Sequence, residues 1–257
     1  MKLEQKKIYS STYYKKKYSS TRYKKEHLFE SEKYLLTKYL KPNMKVLDIG
    51  CATGGFSQIL KEIEPTTKYT GIDLSSELIQ IAKDSYPDYE FNVIDASKKY
   101  NYPHHSFDCI QAWGVTVHES EYKELLTHAW KTTKKTLLFD MRLQTEDSEI
   151  LDRDICYVLN PSGVKNFYII ANALDFLNFL LTFKPKPSKI DIFGYLGQPN
   201  KFVHLPEEHT KEIYMVGVGI EKLDSKEKTI IQINLPQNIK KRILNGLISK
   251  DDILFLD

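Results

Sequence analysis

The chain has 257 residues, with 37 Lys and Arg against 34 Asp and Glu, a formal charge of +3, 41% hydrophobic residues, 11 Gly and 10 Pro. That composition excludes disordered, collagen-like and low-complexity chains and leaves room for one large α/β domain with additions. Cys51, Cys109 and Cys156 are widely separated and form no CxxC pair, which excludes a zinc knuckle or redox dithiol and fits a reducing, cytoplasmic setting with no metal.

The first 25 residues hold nine Lys or Arg and one acid, so the basic character sits in the leader while the rest of the chain is acidic by five charges. Tyr9, Tyr13, Tyr14, Tyr18 and Tyr23 interleave with those cations. Cations mixed with aromatic faces suit a nucleic acid. The favoured reading is a solvated leader or a helix packed over a cleft, since a basic face alone is a weak signal. The leader has no apolar export region, and no run of about 18 apolar residues follows, so neither a signal peptide nor a membrane span is expected.

From residue 30, Leu35, Leu36, Tyr39 and Leu40 recur at helical spacing before the turn Lys41-Pro42-Asn43. Next come the short apolar run VLDIG (46–50), a Gly-rich turn and the helical pattern FSQILKEI (56–63). The alternation repeats: YTGIDLS (69–75) then SELIQIAKDS, EFNVIDAS (90–97), SFDCIQAWG (106–114), the helical ESEYKELLTHAWK (119–131), and KTLLFDMRL (135–143). Short strands separated by helices make parallel βαβ units, and so a doubly wound, Rossmann-like α/β fold with its ligand at the carboxyl ends of the strands.

The first turn is not GxxxxGK[ST] and lacks a full GxGxxG, which disfavours a phosphate cradle. Asp48 before Gly50 and Gly54 suits a ligand that carries a cation. Asp73, at the end of the second strand, is placed to accept both hydroxyls of a ribose. Asp95-Ala96, at the end of the third, is placed to grip an adenine edge. Each of these acids alone would serve as a helix N-cap; three in order make a site.

VLDIGCATGGF (46–56), GIDLS (71–75), NVIDAS (92–97) and FDCIQAWGVTVHE (107–119), followed by LLFDMRL (137–143), resemble the class I S-adenosylmethionine-dependent methyltransferases, in particular their small-molecule group. Ala52 stands where that family usually has a second Gly. The resemblance implies S-adenosyl-L-methionine as cofactor and a seven-stranded sheet of order 3-2-1-4-5-7-6, whose last two strands form a hairpin. It implies a methionine-side loop from Asp48, Gly50, Ala52 and Gly54, ribose contacts from Asp73 and Leu74, adenine contacts from Asp95 and Ala96, and Ala112 and Trp113 beside the sulfonium. His118 and Glu119 follow in the loop that faces the acceptor and are the candidate general bases. His104 and His105 fall on the opposite end of the sheet and read as loop residues.

The missing [DNS]PP[YFW] and Pro-Cys motifs disfavour methylation of nucleic-acid bases, and Ala112-Trp113-Gly114 stands where RNA ribose methyltransferases carry a catalytic Asp. ATGGFSQ (52–58) resembles the turn of those RNA enzymes, so an RNA acceptor bound by the leader is the alternative. A non-catalytic cofactor-binding protein is the alternative of another class. The domain division expected is a leader at 1–28, a methyltransferase domain at 29–223 and a C-terminal extension at 224–257.

Within the domain a helical cap insertion is expected at 144–189. FYIIANALDFLNFLLTF (167–183) reads as one helix of about 25 Å, at about 1.5 Å per residue, with Asn172, Asp175, Asn178 and Thr182 in a polar stripe. KIDIFGYL (189–196) and KEIYMVGVGIEKL (211–223) read as strands, TIIQINL (229–235) as a strand and 237–248 as a helix. The expected acceptor is a small molecule or glycan precursor held under the cap. No feature assigns an oligomeric state.

Overall fold

The central parallel strands of this chain are covered on both faces, and their residues divide between two cores with a period of two. In β1 (Lys45–Ile49), Val46 packs into one core while Leu47 and Ile49 pack into the other. The computed structural model describes residues 16, 18, 20–98, 101–145, 148–160, 163–198, 201–206, 212–222, 228–247 and 253–256.

One face of the sheet is covered by α1 (Glu30–Tyr39), α2 (Phe56–Ile63) and α3 (Ser76–Ser85). Helix α2 presents Phe56, Ile59 and Leu60 to that core, a spacing of three and one that keeps them on a single stripe. Helix α3 starts at Ser75, whose Oγ accepts from the Leu78 amide at 3.3 Å. The other face is covered by α4 (Tyr122–Thr132), with Tyr122, Leu126 and Trp130 buried, and by α5 (Ala173–Leu181).

The strands β2 (Lys68–Asp73), β3 (Glu90–Val93), β4 (Phe107–Ala112) and β5 (Thr133–Gln144) run parallel with β1. Beyond β5 come β11 (Tyr214–Glu221), antiparallel to β5, and β9 (Lys189–Leu196), antiparallel to β11. The path β3-β2-β1-β4-β5-β11-β9 then continues through β12 (Thr229–Asn234) and β13 (Ile253–Leu256), both parallel to β9. With α6 (Gln237–Gly246) between them, β12 and β13 form a further βαβ unit. Including β8 (Ala171–Asn172), which pairs with the end of β5, this sheet has ten strands among the described residues, more than the seven expected.

The insertion corrects the sequence reading most. It is not helical throughout: β6 (Tyr157–Leu159) pairs with both β7 (Lys165–Phe167) and β10 (Val203–His204) in a three-stranded antiparallel sheet. The helix expected over 167–183 begins only at Ala173. Tyr168 and Ile170 join a small core with Ile150, Cys156 and Ile213, while Ile169 and Ala171 join the main core. That alternation is the period of a strand, favoured by the β-branched pair Ile169-Ile170. Asn172 then caps α5, its Oδ1 accepting from the amides of Leu174 and Asp175 at 3.0 and 3.2 Å. Asp175 and Thr182 of the polar stripe are exposed.

Candidate active site

A cavity of about 430 Å³ opens at the carboxyl ends of β1 to β4, within the range of about 300–1,000 Å³ typical of small-ligand sites. Its wall gathers Gly50, Ala52, Asp73, Leu74, Asp95, Ala96, Trp113, His118 and Glu119, nine of the twelve positions singled out from the sequence. Asp48, Gly54 and Ala112 are not in that wall. Ala112 is fully buried at the end of β4.

Asp48 lies beneath the Gly-rich loop at 3% exposure, and its Oδ2 accepts from the Tyr69 hydroxyl at 2.6 Å. Burial pushes its carboxyl up to about 7 against the opposing effect of that hydrogen bond. It underpins the loop from inside. Gly50 has φ +73°, and a Cβ there would stand 2.3 Å from Cγ2 of Val115. Gly54 has φ +81°, and a Cβ there would meet the Phe91 ring at 2.8 Å. Ala52 adopts φ +48°, a left-handed conformation that costs an L-residue about 1–2 kcal/mol.

Asp73 ends β2 with its side chain in the wall. Oδ2 accepts from the Ala52 amide at 3.0 Å and Oδ1 from the Ser75 amide at 2.8 Å, so this one carboxylate ties the Gly-rich loop to the start of α3. Burial raises its carboxyl, and the amides oppose that shift. A carboxylate offers about four lone-pair sites, so acceptor capacity remains beside these amides for a ligand hydroxyl. Oδ1 of Asp95 accepts from the amide and hydroxyl of Ser97 at 3.1 and 2.7 Å. Cys51 also lines the cavity, but burial holds its thiol well above the ordinary range, so it is a neutral wall group.

The loop after β4 is held from β5. The Gly114 amide donates to Asp140 Oδ1 at 2.6 Å, Thr116 Oγ1 donates to the Asp140 carbonyl, and Arg142 Nη1 donates to Asp140 Oδ2 at 3.0 Å. This brings a short 3₁₀ turn, Thr116–His118, to the cavity. Nδ1 of His118 lies 2.6 Å from the Phe167 carbonyl of β7. A carbonyl only accepts, so Nδ1 carries the proton and the lone pair of the neutral ring lies on Nε2. Glu119 Oε1 accepts from the Glu121 amide at 3.0 Å. Trp113 is 7% exposed, part of the core and of the cavity wall at once, with Nε1 donating to Gln111 at 3.1 Å.

A leader helix packed over a cleft was one expectation, with no site residue named in it; Tyr18, Thr21 and Arg22 at the leader's end, and Phe29 just before α1, also line the cavity. The basic segment before residue 16 lies outside the described residues. The helical spacing of Tyr18 and Arg22 was the available signal. His104 and His105 lie between β3 and β4 and do not reach this cavity.

The strand order, the Gly-rich loop after β1 and the acidic ends of β2 and β3 define a class I S-adenosylmethionine-dependent methyltransferase fold. The model of the methyltransferase domain family matches residues 18–174, and the chain belongs to that family. It is similar to phosphoethanolamine N-methyltransferase 1 of Zea mays, 35% identical over 108 residues, which are 39% of this chain and 21% of that protein. It is similar also to putative methyltransferase 235L of Invertebrate iridescent virus 6, 25% identical over 154 residues, 58% of this chain and 55% of the relative. The chain therefore spans about a fifth to a half of the length of these relatives.

Among solved structures, magnesium protoporphyrin IX methyltransferase from Synechocystis PCC 6803 with bound S-adenosylmethionine shares the fold. Its TM-score is 0.51 at 12% identity, over 86% of this chain and 97% of that one. The residues present fit this cofactor: a buried carboxylate with spare acceptor capacity stands in the cavity wall beside the Gly-rich loop, and Gly50 and Gly54 leave no room for a Cβ. Among the described residues no cluster of His, Cys, Asp and Glu is arranged to hold a metal ion, and no helix is long and apolar enough to cross a membrane.

Proposed function

We propose that the chain transfers a methyl group from S-adenosylmethionine to a small molecule or glycan precursor, with the acceptor held between the loop after β4 and the insertion at 144–189. The observation that carries this reading is one cavity in which Asp73 and Asp95 stand in the same wall as Trp113, His118 and Glu119. A phosphoethanolamine and a magnesium protoporphyrin enzyme among the similar proteins support a small-molecule acceptor.

The cofactor, when bound, supplies a methyl group already activated on a sulfonium, so alignment and exclusion of water are what the protein must add. In this reading Asp73 receives the ribose hydroxyls, Asp95 and Ala96 receive the adenine edge, and Trp113 closes the sulfonium end against water. His118 would be the base, its Nε2 taking the acceptor's O–H or N–H proton, while the cofactor would supply the methyl group with cleavage of its carbon–sulfur bond and S-adenosylhomocysteine as the leaving group. The Phe167 carbonyl orients that ring by holding Nδ1–H, and Asp140 holds the loop that carries it.

His118→Ala is expected to lower turnover about 10²- to 10⁴-fold, the usual contribution of a positioned base, with cofactor affinity unchanged. Single-turnover rates and a calorimetric titration with S-adenosylhomocysteine separate the two effects. Unchanged turnover removes His118 as the base.

A further inference from the structure

We infer that Arg22 receives the α-carboxylate of the cofactor, so that the end of the basic leader supplies one side of the cofactor site. This rests on the reading of the cavity as an S-adenosylmethionine site. Arg22 is in the cavity wall with φ +63°. Its guanidinium carbon stands 4.9 Å from the centre of the Phe56 ring and 5.2 Å from that of Phe29. Nη2 donates to Glu32 Oε1 at 2.6 Å. Glu32 is 2% exposed and its other oxygen accepts from the Phe29 amide at 2.8 Å, so the acid that holds the guanidinium is itself fixed at the start of α1. Two aromatic faces and one buried acid leave the guanidinium little freedom, which is the pre-organisation that planar recognition of a carboxylate requires.

Donor count and position agree with this role. A guanidinium carries five N–H donors, and among the described residues Arg22 makes one hydrogen bond, to Glu32. The Arg22 carbonyl lies 2.6 Å from the place of a Cβ on Gly55, and Phe56 is the first residue of α2, directly after the Gly-rich loop. Arg22 therefore sits at the β1 end of the cavity, away from Asp95 at the β3 end. Its charge also reaches Asp48 beneath that loop and opposes the effect of burial on the carboxyl.

The α-carboxylate is the one anionic group of S-adenosylmethionine. Glu32 neutralises the net charge of Arg22, so what the carboxylate gains there is directed hydrogen bonding together with the partial positive charge at the start of α2.

The test is a cycle between a protein group and a ligand group. S-adenosylhomocysteine and its decarboxylated analogue are titrated into the full chain and into Arg22→Met, with thermal melts of the unliganded proteins as the folding control. Loss of the carboxylate is expected to weaken binding to the parent chain by about 10- to 100-fold, the range for a charge-assisted hydrogen bond, and to cost Arg22→Met less than about 3-fold. An equal penalty in both proteins overturns the proposal. Arg22→Lys, which keeps a cation but loses the planar fork, is the second variant if the Met protein does not fold. Its penalty is expected to be smaller than that of the parent chain, and an unchanged penalty overturns the assignment. A parent chain that binds neither ligand overturns the cofactor reading itself, and the assignment with it.

Discussion

Asp73 and Asp48 are both buried acids of neighbouring strands, and their surroundings give them different work. Asp73 exposes its edge to the cavity and holds two amides. Removing it in Asp73→Ala leaves the amides of Ala52 and Ser75 without this acceptor, each at a cost of about 1–3 kcal/mol. The variant is expected to melt at lower urea concentration and to bind S-adenosylhomocysteine at least about tenfold more weakly. An affinity equal to that of the parent chain would remove Asp73 from the ribose contact.

Asp48 instead keeps a proton that an unfolded chain would release. Its folded value of about 7 lies above the unfolded value of about 3.9. The stability it contributes is fully present below the unfolded value and is lost as pH rises through 7. Glu32 and Asp73 are shifted in the same direction by burial, so the parent chain has a composite slope. Asp48→Asn, which preserves an acceptor for Tyr69, should reduce that slope between about pH 4 and 7 by up to about 1.4 kcal/mol per unit. Urea midpoints at pH 5 and 7.5 measure the change; parallel slopes in the two proteins contradict it.

At the residue scale the ends of β2 and β3 were legible because a carboxylate that closes a parallel strand lies at the ligand edge of the sheet. The position of Asp48 followed from a period already in the sequence: it shares a face with Val46, toward Tyr69 and the helices, and not with the cavity. Arg22 was not legible as a site residue, since its place depends on a contact with Glu32 ten residues on and on rings from Phe29 and Phe56.

Among the elements, α2 and α3 were readable to the residue because Gly55 and Ser75 stop the preceding segment and the buried positions recur at helical spacing. The insertion was not. FYIIANALDFLNFLLTF (167–183) is apolar enough to serve as either a buried strand or a buried helix, and periodicity alone does not separate them. Asn172 is the punctuation that separates the two, and it was counted instead into a polar stripe. Asn172→Ala is expected to destabilise the chain by about 0.5–2 kcal/mol and to shorten α5 from its amino end. Hydrogen exchange at Leu174 and Asp175 reads this directly; unchanged protection there would show that tertiary packing of Phe176 and Leu177 sets the start of α5 without the cap.

At the scale of the whole molecule, β12 and β13 extend the central sheet and α6 packs with them. Ile231, Ile233, Ile239, Ile243 and Ile253 pack into the same core as Leu47 and Ile110. Lys38 of α1 donates to Gln232 of β12 at 3.1 Å and pairs with buried Asp191 of β9, which joins the first helix to the late strands. β12 and α6 were readable from their patterns; β13, the four residues ILFL, is too short to be distinguished from any apolar tail before its pairing with β12 is known. The cavity lies at the carboxyl ends of β1 to β4, away from these added strands, and there the proposed cofactor and acceptor would meet.

The most direct test of that account is to incubate the full chain with methyl-labelled S-adenosylmethionine and an extract of its own cells, then separate RNA, protein, lipid, glycan and small-molecule fractions. The account predicts label in the small-molecule or glycan-precursor fraction, lost with His118→Ala. Label in RNA, or no transfer by a chain that binds the cofactor, would contradict it.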